Sequence, residues 1–265
     1  MSRRIALSVG YDGGRYSGWQ QQPDANSIQA TLERSLSKIA DERVDLICAG
    51  RTDAGVHACR QVVHFDTHAA RPSSAWLMGT NSELPPDISI SWACPVPDHF
   101  HARYSALLRI YRYVILNRPA RSALVAGRAL VIHQPLQIEA MQAAAQWLVG
   151  QHDFSAFRSS ECQSKSPVRR LERLEVNRSG VWVTIEVSAN AFLHHMVRNI
   201  VGLLVAIGQG RAPPERAREQ LESRRRSTGA ATAAAHGLYL WQVRYPVQFG
   251  LPADSAIIGV SGEDA

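Results

Sequence analysis

The chain has 265 residues, of which 45% are hydrophobic and 20% are charged, as in most soluble globular proteins. Its formal charge of +6 favours a polyanionic partner. All of its basic residues except Lys38 and Lys165 are arginine, but proteins from GC-rich genomes show the same bias. The four cysteines form no C-x-x-C pair and the histidines no H-E-x-x-H pattern, which argues against a metal site and a disulfide framework.

No apolar run approaches the roughly 20 residues of a membrane span, and the N-terminal apolar run is too short for a signal peptide. We therefore expect a soluble, cytoplasmic protein with no membrane contact.

The first elements along the chain predict an α+β unit. Residues 5–11 alternate apolar and small side chains, as in a strand with one apolar face. Asn26, with Gln29 three residues later, predicts the start of a helix whose apolar stripe continues to Ile39. Short strands follow at about 44–48 and 61–65, on either side of a loop with the sequence AGRTDAGVHA.

A proline-rich stretch at 85–101 predicts an irregular connection, after which a similar series of strands and helices follows. The sequence then predicts a strand at 109–116, a helix at 138–148, a hairpin around Ser179-Gly180, a long helix at 192–207 and a closing strand at 237–245, listed in chain order. We expect two similar α/β halves with mainly antiparallel sheets and an active-site cleft between them. The expected halves are 1–105 and 106–250, followed by a tail at 251–265.

The helix predicted at 192–207 is apolar around most of its circumference and should be buried. Arg198 lies in the middle of it, where an unpaired guanidinium would cost several kcal/mol. We therefore expect Arg198 to meet a carboxylate or to open into a wet cleft. A purely structural pairing with an acid such as Glu186 is the alternative.

Asp53, in the loop AGRTDAGVHA, is either a turn residue or a reactive carboxylate. Gly50 and Gly55 would let the backbone approach a ligand closely, and a nearby arginine would keep a carboxylate ionised. Arg51 alternates with Thr52 and could project to the same side as Asp53.

Six blocks of the sequence, in order, resemble those of the tRNA pseudouridine synthase A family. They are YDGGRYSGWQ at 11–20, AGRTDAGVHA at 49–58, FHARYSALLRIYRYVILN at 100–117, HDFSAFR at 152–158, NAFLHHMVRNIVG at 190–202 and GLYL at 237–240. The resemblance implies the pseudouridine synthase fold. It also implies an isomerase that converts uridine to pseudouridine at positions 38–40 of the tRNA anticodon stem-loop, with base flipping and no cofactor, working as a homodimer.

The resemblance assigns Asp53 as the essential catalytic residue, which attacks the uracil ring or ribose C1′ or assists departure of the base. It implies that Arg51 helps to extrude the uridine, that Tyr111 packs on the flipped uracil, and that Arg198 pairs with Asp53 as a catalytic partner. Without the resemblance, the strand pattern alone would favour Tyr111 as an ordinary aromatic residue of the core.

The histidines His57, His194 and His195 either contact phosphate or satisfy polar groups inside the fold. Ile110 stands where family members often have a basic residue, which puts a phosphate contact there in doubt. The competing hypotheses are a non-catalytic basic α/β RNA-binding module and a metal-dependent hydrolase, for which the ligand spacing is missing.

Overall fold

A computed structural model describes residues 2–225 and 231–252 of the chain. The predicted tail at 251–265 therefore lies, from residue 253 onward, outside the described residues. In that described part no helix is both long and apolar enough to cross a membrane.

The described chain forms an α+β fold, as predicted. Its strands are β1 (Arg3–Tyr11), β2 (Ile47–Cys48), β3 (His57–Thr67), β4 (Ile88–Val96), β5 (Leu108–Asn117), β6 (Leu130–Ile132), β7 (Gly150–Asp153), β8 (Val168–Ser179), β9 (Trp182–Ala189) and β10 (Leu238–Arg244). Its α-helices are α1 (Ile28–Ala40), α2 (Thr80–Glu83), α3 (Ile138–Gln146), α4 (Met196–Gly208) and α5 (Arg216–Ser223).

The chain divides into two compact units. The first comprises Met1–Arg109 and the segment that begins at Tyr239, and the second comprises Ile110–Leu238. The boundary predicted from sequence, after residue 105, lies close to Arg109, where the chain first passes from one unit to the other. The expected half 106–250 differs from the second unit at its end, because the segment that begins at Tyr239 belongs to the first unit, where it pairs in parallel with β3.

The sheet of the first unit has the order β4-β1-β3-β10, with the short β2 also paired to β3. β1 runs antiparallel to both of its neighbours. α1 buries the apolar stripe that begins at Ile28 and includes Leu32 and Leu36. The helix cap is Ser27 rather than the predicted Asn26, because the Ser27 hydroxyl accepts a hydrogen bond from the Ala30 amide.

The stretch 85–101, predicted to be irregular, instead contains the strand β4. β4 is the terminal strand in the order of the first unit and pairs only with β1 there. A terminal strand tolerates proline, which cannot donate to a ladder, and Pro95 is placed in it. The prediction of an irregular connection was wrong here, because the prolines of this stretch are compatible with a strand at the end of the sheet.

The sheet of the second unit has the order β5-β9-β8-β7, with β6 parallel to β5. β8 and β9 form the predicted antiparallel hairpin, and Gly180 at its turn has a φ of 56°. Such a left-handed backbone conformation favours glycine. Both units thus carry a mainly antiparallel sheet with helices, as the sequence predicts.

α4 is the most deeply buried helix of the second unit, and all of its residues except Arg198 and Gly202 are buried. It begins at Met196 and not at 192, because His195 adopts a left-handed conformation with a φ of 62°. Arg198 is consequently in the first turn of the helix and not in its middle. Arg198 and Gly202 are four residues apart and lie on one face, against the segment 231–233.

We expect Gly202→Ala to destabilise the protein by about 2 kcal/mol or more, since an added Cβ would overlap the backbone carbonyl of Ala231. Gly79→Ala is the matched control, because its Cβ would meet only the flexible tip of Ile39, at 3.1 Å. The midpoint of urea unfolding, at constant m-value, measures both. Equal midpoints for the two variants would contradict the prediction.

Candidate active site

The loop between β2 and β3 carries Asp53, and its side chains alternate in exposure. Arg51 is exposed, Thr52 is buried and Asp53 is half-buried. Thr52 therefore anchors the loop inward, between two charged residues that remain accessible to a ligand.

The N-terminal side of this loop is held by hydrogen bonds from buried polar side chains. The Gln61 amide bonds both backbone groups of Gly50, with its Nε2 donating to the carbonyl at 2.5 Å and its Oε1 accepting from the N–H at 3.3 Å. The buried guanidinium of Arg109 donates from Nη2 to the Ala49 carbonyl at 3.0 Å. Buried polar groups of this kind normally occur only when satisfied, and here they satisfy the loop.

The centre of the loop is held at Thr52 by the segment that follows β1. The Tyr11 hydroxyl and Thr52 Oγ1 are 2.8 Å apart and hydrogen-bonded in a buried position. The Trp19 amide donates to the Thr52 carbonyl at 3.0 Å. Gly18 has a φ of 99°, and a Cβ on it would lie 2.8 Å from the same carbonyl, so only glycine fits this close approach.

The C-terminal side of the loop is closed by a turn and by His57. The Val56 amide donates to the Asp53 carbonyl at 3.1 Å, and the Gly55 amide to the Tyr16 carbonyl at 3.4 Å. His57 is buried, its Nδ1 accepts from the Gly13 amide at 3.0 Å, and its ring stacks on Tyr239. His57 thus satisfies polar groups inside the fold, one of the two roles considered from sequence.

Together these bonds fix the backbone on both sides of Asp53. The backbone that carries the Asp53 side chain is therefore fixed, while the residue itself is only half-buried. Pre-organisation of this kind is what a nucleophile or a general base requires.

In the second unit, Tyr111 lies on β5 and only 8% of it is exposed. Its ring and that of Phe192 form an edge-to-face pair, with the centroids 5.0 Å apart and the planes at 84°. Ile110, beside it, is also buried. The neighbouring Tyr113 donates its hydroxyl to the Ala234 carbonyl, and burial raises the pKa of that hydroxyl.

Arg198 of the second unit is half-buried. Its Nε donates to the Ala233 carbonyl at 2.8 Å, and the Ala233 amide donates to the Arg198 carbonyl at 3.1 Å. This exchange fixes the guanidinium at the start of α4. Glu186, the alternative partner considered from sequence, lies 2.9 Å from Arg112 instead.

The adjacent His194 and His195 precede α4 rather than belong to it. Their rings lie 4.0 Å apart, and the carbonyl of His194 accepts from the Ser159 amide. The left-handed backbone of His195 turns the chain into the helix.

Sequence reasoning missed the residues that hold the Asp53 loop, namely Tyr11, Thr52, Gln61 and Arg109. Arg109 offered a signal, since an arginine among the apolar residues of a buried strand needs acceptors. Gln61, at the start of a buried run, offered a similar one. Tyr11 did not, because a tyrosine that ends a strand is ordinary.

A sequence model of the family described as tRNA pseudouridine synthase matches residues 7–105 and 144–246. The chain belongs to this family. It is 55% identical over 249 residues to "tRNA pseudouridine synthase A" of Nitrosococcus oceani, covering 94% of this chain and 96% of that protein.

Proteins of the same name from Paraburkholderia xenovorans and Pseudomonas aeruginosa are each 54% identical. The alignments cover 95% and 94% of this chain and 93% and 88% of those proteins. Both the Asp53 loop and the start of α4 lie in the matched segments.

We expect Tyr11→Phe to lower kcat for pseudouridine formation about tenfold with little change in KM, because Thr52 loses its hydrogen bond and the Asp53 backbone is held less firmly. The matched control is Tyr245→Phe, which removes a hydroxyl bonded to the Ala102 carbonyl in the same unit.

Steady-state kinetics and thermal unfolding of both variants separate positioning from stability. An equal loss of kcat in the two variants would show that the Tyr11 bond has no special role.

Proposed function

We propose that this protein isomerises uridine to pseudouridine in tRNA, at positions 38–40 of the anticodon stem-loop, without a cofactor and as a homodimer. The observation that carries the proposal is the half-buried Asp53 carboxylate on a loop whose backbone is fixed on both sides, within a segment matched by the family.

The reaction breaks the bond between ribose C1′ and uracil N1, rotates the base, and joins C1′ to C5. The proton on C5 is lost and N1 gains one, so the change is an isomerisation with no net oxidation. One well-placed carboxylate suffices for covalent or general-base help in such a reaction. Asp53 is proposed for this role, and the three modes of attack or assistance named above remain alternatives.

Arg51 is proposed to help extrude the uridine. A base inside a stem is inaccessible to a carboxylate, so the nucleotide has to leave the stack first. Arg51 is exposed and two residues from Asp53, which suits a side chain that enters the space left by the base.

Tyr111 is proposed to pack against the flipped uracil. Its buried ring, in its edge-to-face pair with Phe192, would offer a fixed surface. Arg198 is proposed as the positively charged partner of Asp53, and its hydrogen bond to the Ala233 carbonyl would hold it in place for this role.

We expect Asp53→Asn to abolish pseudouridine formation, while tRNA affinity stays within about tenfold of the unchanged protein. The matched control is Asp45→Asn, since Asp45 is an exposed acid of the same unit that pairs with Arg43. Release of tritium from [5-³H]uridine tRNA reports turnover, and filter binding reports affinity. Near-normal turnover of Asp53→Asn would favour a non-catalytic RNA-binding module.

We expect Arg198→Met to lower the kcat for pseudouridine formation, because the proposed partner of Asp53 loses its positive charge. Arg198→Lys should restore part of the activity, since it keeps the charge, and Arg211→Met, at an exposed position, is the control. Steady-state kinetics measure all three variants. Activity of Arg198→Met equal to that of the unchanged protein would leave Arg198 with a structural role only.

A further inference from the structure

The turn at 101–105, between β4 and β5, is ordered by its own side chains. His101 Nδ1 accepts from the amides of Arg103 and Tyr104 at 3.1 and 3.2 Å. The Ser105 amide donates to the His101 carbonyl at 2.8 Å, and its hydroxyl accepts from the His101 amide at 3.0 Å. This turn is therefore a fixed feature of the surface.

The turn presents an exposed aromatic ring. Tyr104 is 76% exposed, which is unusual for a large ring on an ordered turn. Its ring lies 4.3 Å from that of His101, at an angle of 32°, and the Arg103 guanidinium carbon is 5.6 Å from its centroid. The ring is thus held in place, and an arginine stands beside it.

The buried Arg109 joins this turn to the Asp53 loop. Its guanidinium donates from Nη2 to the Arg103 carbonyl and also to the Ala49 carbonyl at 3.0 Å. The turn with Tyr104 and the loop with Asp53 are therefore anchored to the same side chain and keep a fixed relation to each other.

The same region is positively charged. Burial raises the pKa of the Cys48 thiol to about 12, and the positive charges of Arg51 and Arg103 act in the opposite direction. Both arginines are exposed, and both are close enough to this one thiol to influence it.

We propose that Tyr104 and Arg103 form a second RNA contact, in which the Tyr104 ring stacks on an unpaired base of the substrate and Arg103 binds a backbone phosphate. This inference rests on the proposed function and adds a contact to it. Aromatic stacking on unpaired bases together with arginine–phosphate pairing is the usual way in which proteins bind single-stranded RNA.

The test for stacking compares two RNAs, an anticodon stem-loop and a fully paired duplex with the same stem. Tyr104→Ala should weaken binding to the stem-loop roughly five- to hundredfold, leave binding to the duplex unchanged and leave kcat at saturating RNA unchanged. Tyr104→Phe should bind as the unchanged protein does, because it keeps the ring.

The matched control is Trp147→Ala. Trp147 is also an exposed aromatic, with the Arg218 guanidinium carbon 4.8 Å from its ring, but it belongs to the second unit. Its substitution should leave affinity for both RNAs unchanged.

The phosphate contact has its own test. Arg103→Gln should weaken binding to the stem-loop and reduce the slope of log K against log salt by about one. Arg218→Gln, the control, should leave that slope unchanged.

Three results would overturn the inference. The first is that Tyr104→Ala binds the stem-loop as tightly as the unchanged protein does, and the second is that it weakens binding to the stem-loop and to the duplex equally. The third is a changed oligomeric state of Tyr104→Ala in analytical ultracentrifugation with RNA affinity kept, which would make the ring a contact between copies of the chain. If the unchanged protein converts no uridine in the tritium-release assay, the proposed function is wrong. That outcome is distinct from the three above, which are measured by RNA binding and ultracentrifugation.

Discussion

The hydrogen bond between the buried Tyr11 hydroxyl and Thr52 Oγ1 sits at the centre of a set of bonds on which the candidate site depends. The residues around Asp53 form no regular sheet, so each of their polar groups requires a partner from elsewhere. The segment after β1, together with Gln61 and Arg109, provides these partners. Without them, ordering this loop would cost conformational entropy with nothing to offset it.

In the three consecutive residues 51–53, the residue that holds the loop in place is a different one from those that can contact a ligand. Thr52 faces inward and carries the anchoring bonds, whereas Arg51 and Asp53 on either side remain accessible. A single inward residue can therefore fix the position of two outward ones. Arg109 likewise supports two segments at once, because its buried guanidinium donates hydrogen bonds to both the Asp53 loop and the turn at 101–105.

Much of the fold could be predicted from the sequence, because its strands and helices have clear apolar periodicity. The hairpin at Gly180 and the buried α4 are examples. The prediction was wrong where a longer-range contact decides the outcome. β4 tolerates Pro95 because it is a terminal strand of its unit, and β10 joins the first unit through parallel pairing with β3.

The candidate site was predictable to a smaller extent. Asp53 and Arg51 were proposed from a short motif and from family resemblance, and that resemblance also proposed Tyr111 and Arg198. The first turn of α4, by contrast, depends on one left-handed residue, His195, which the periodicity of the helix does not reveal. For anchoring residues such as Gln61, the sequence indicates that a buried polar side chain needs a partner, but it does not reveal which backbone group that partner is.

The return of the chain to its first unit at Tyr239 has a consequence for biosynthesis. Because β10 completes the pairing of β3, the first unit lacks one of its strands until about nine-tenths of the polypeptide has been made. Within the described residues the second unit is continuous in sequence, from Ile110 to Leu238. An N-terminal fragment that stops at Arg109 would lack β10 and would leave His57 and Ala58 of β3 without the strand that they pair with in parallel.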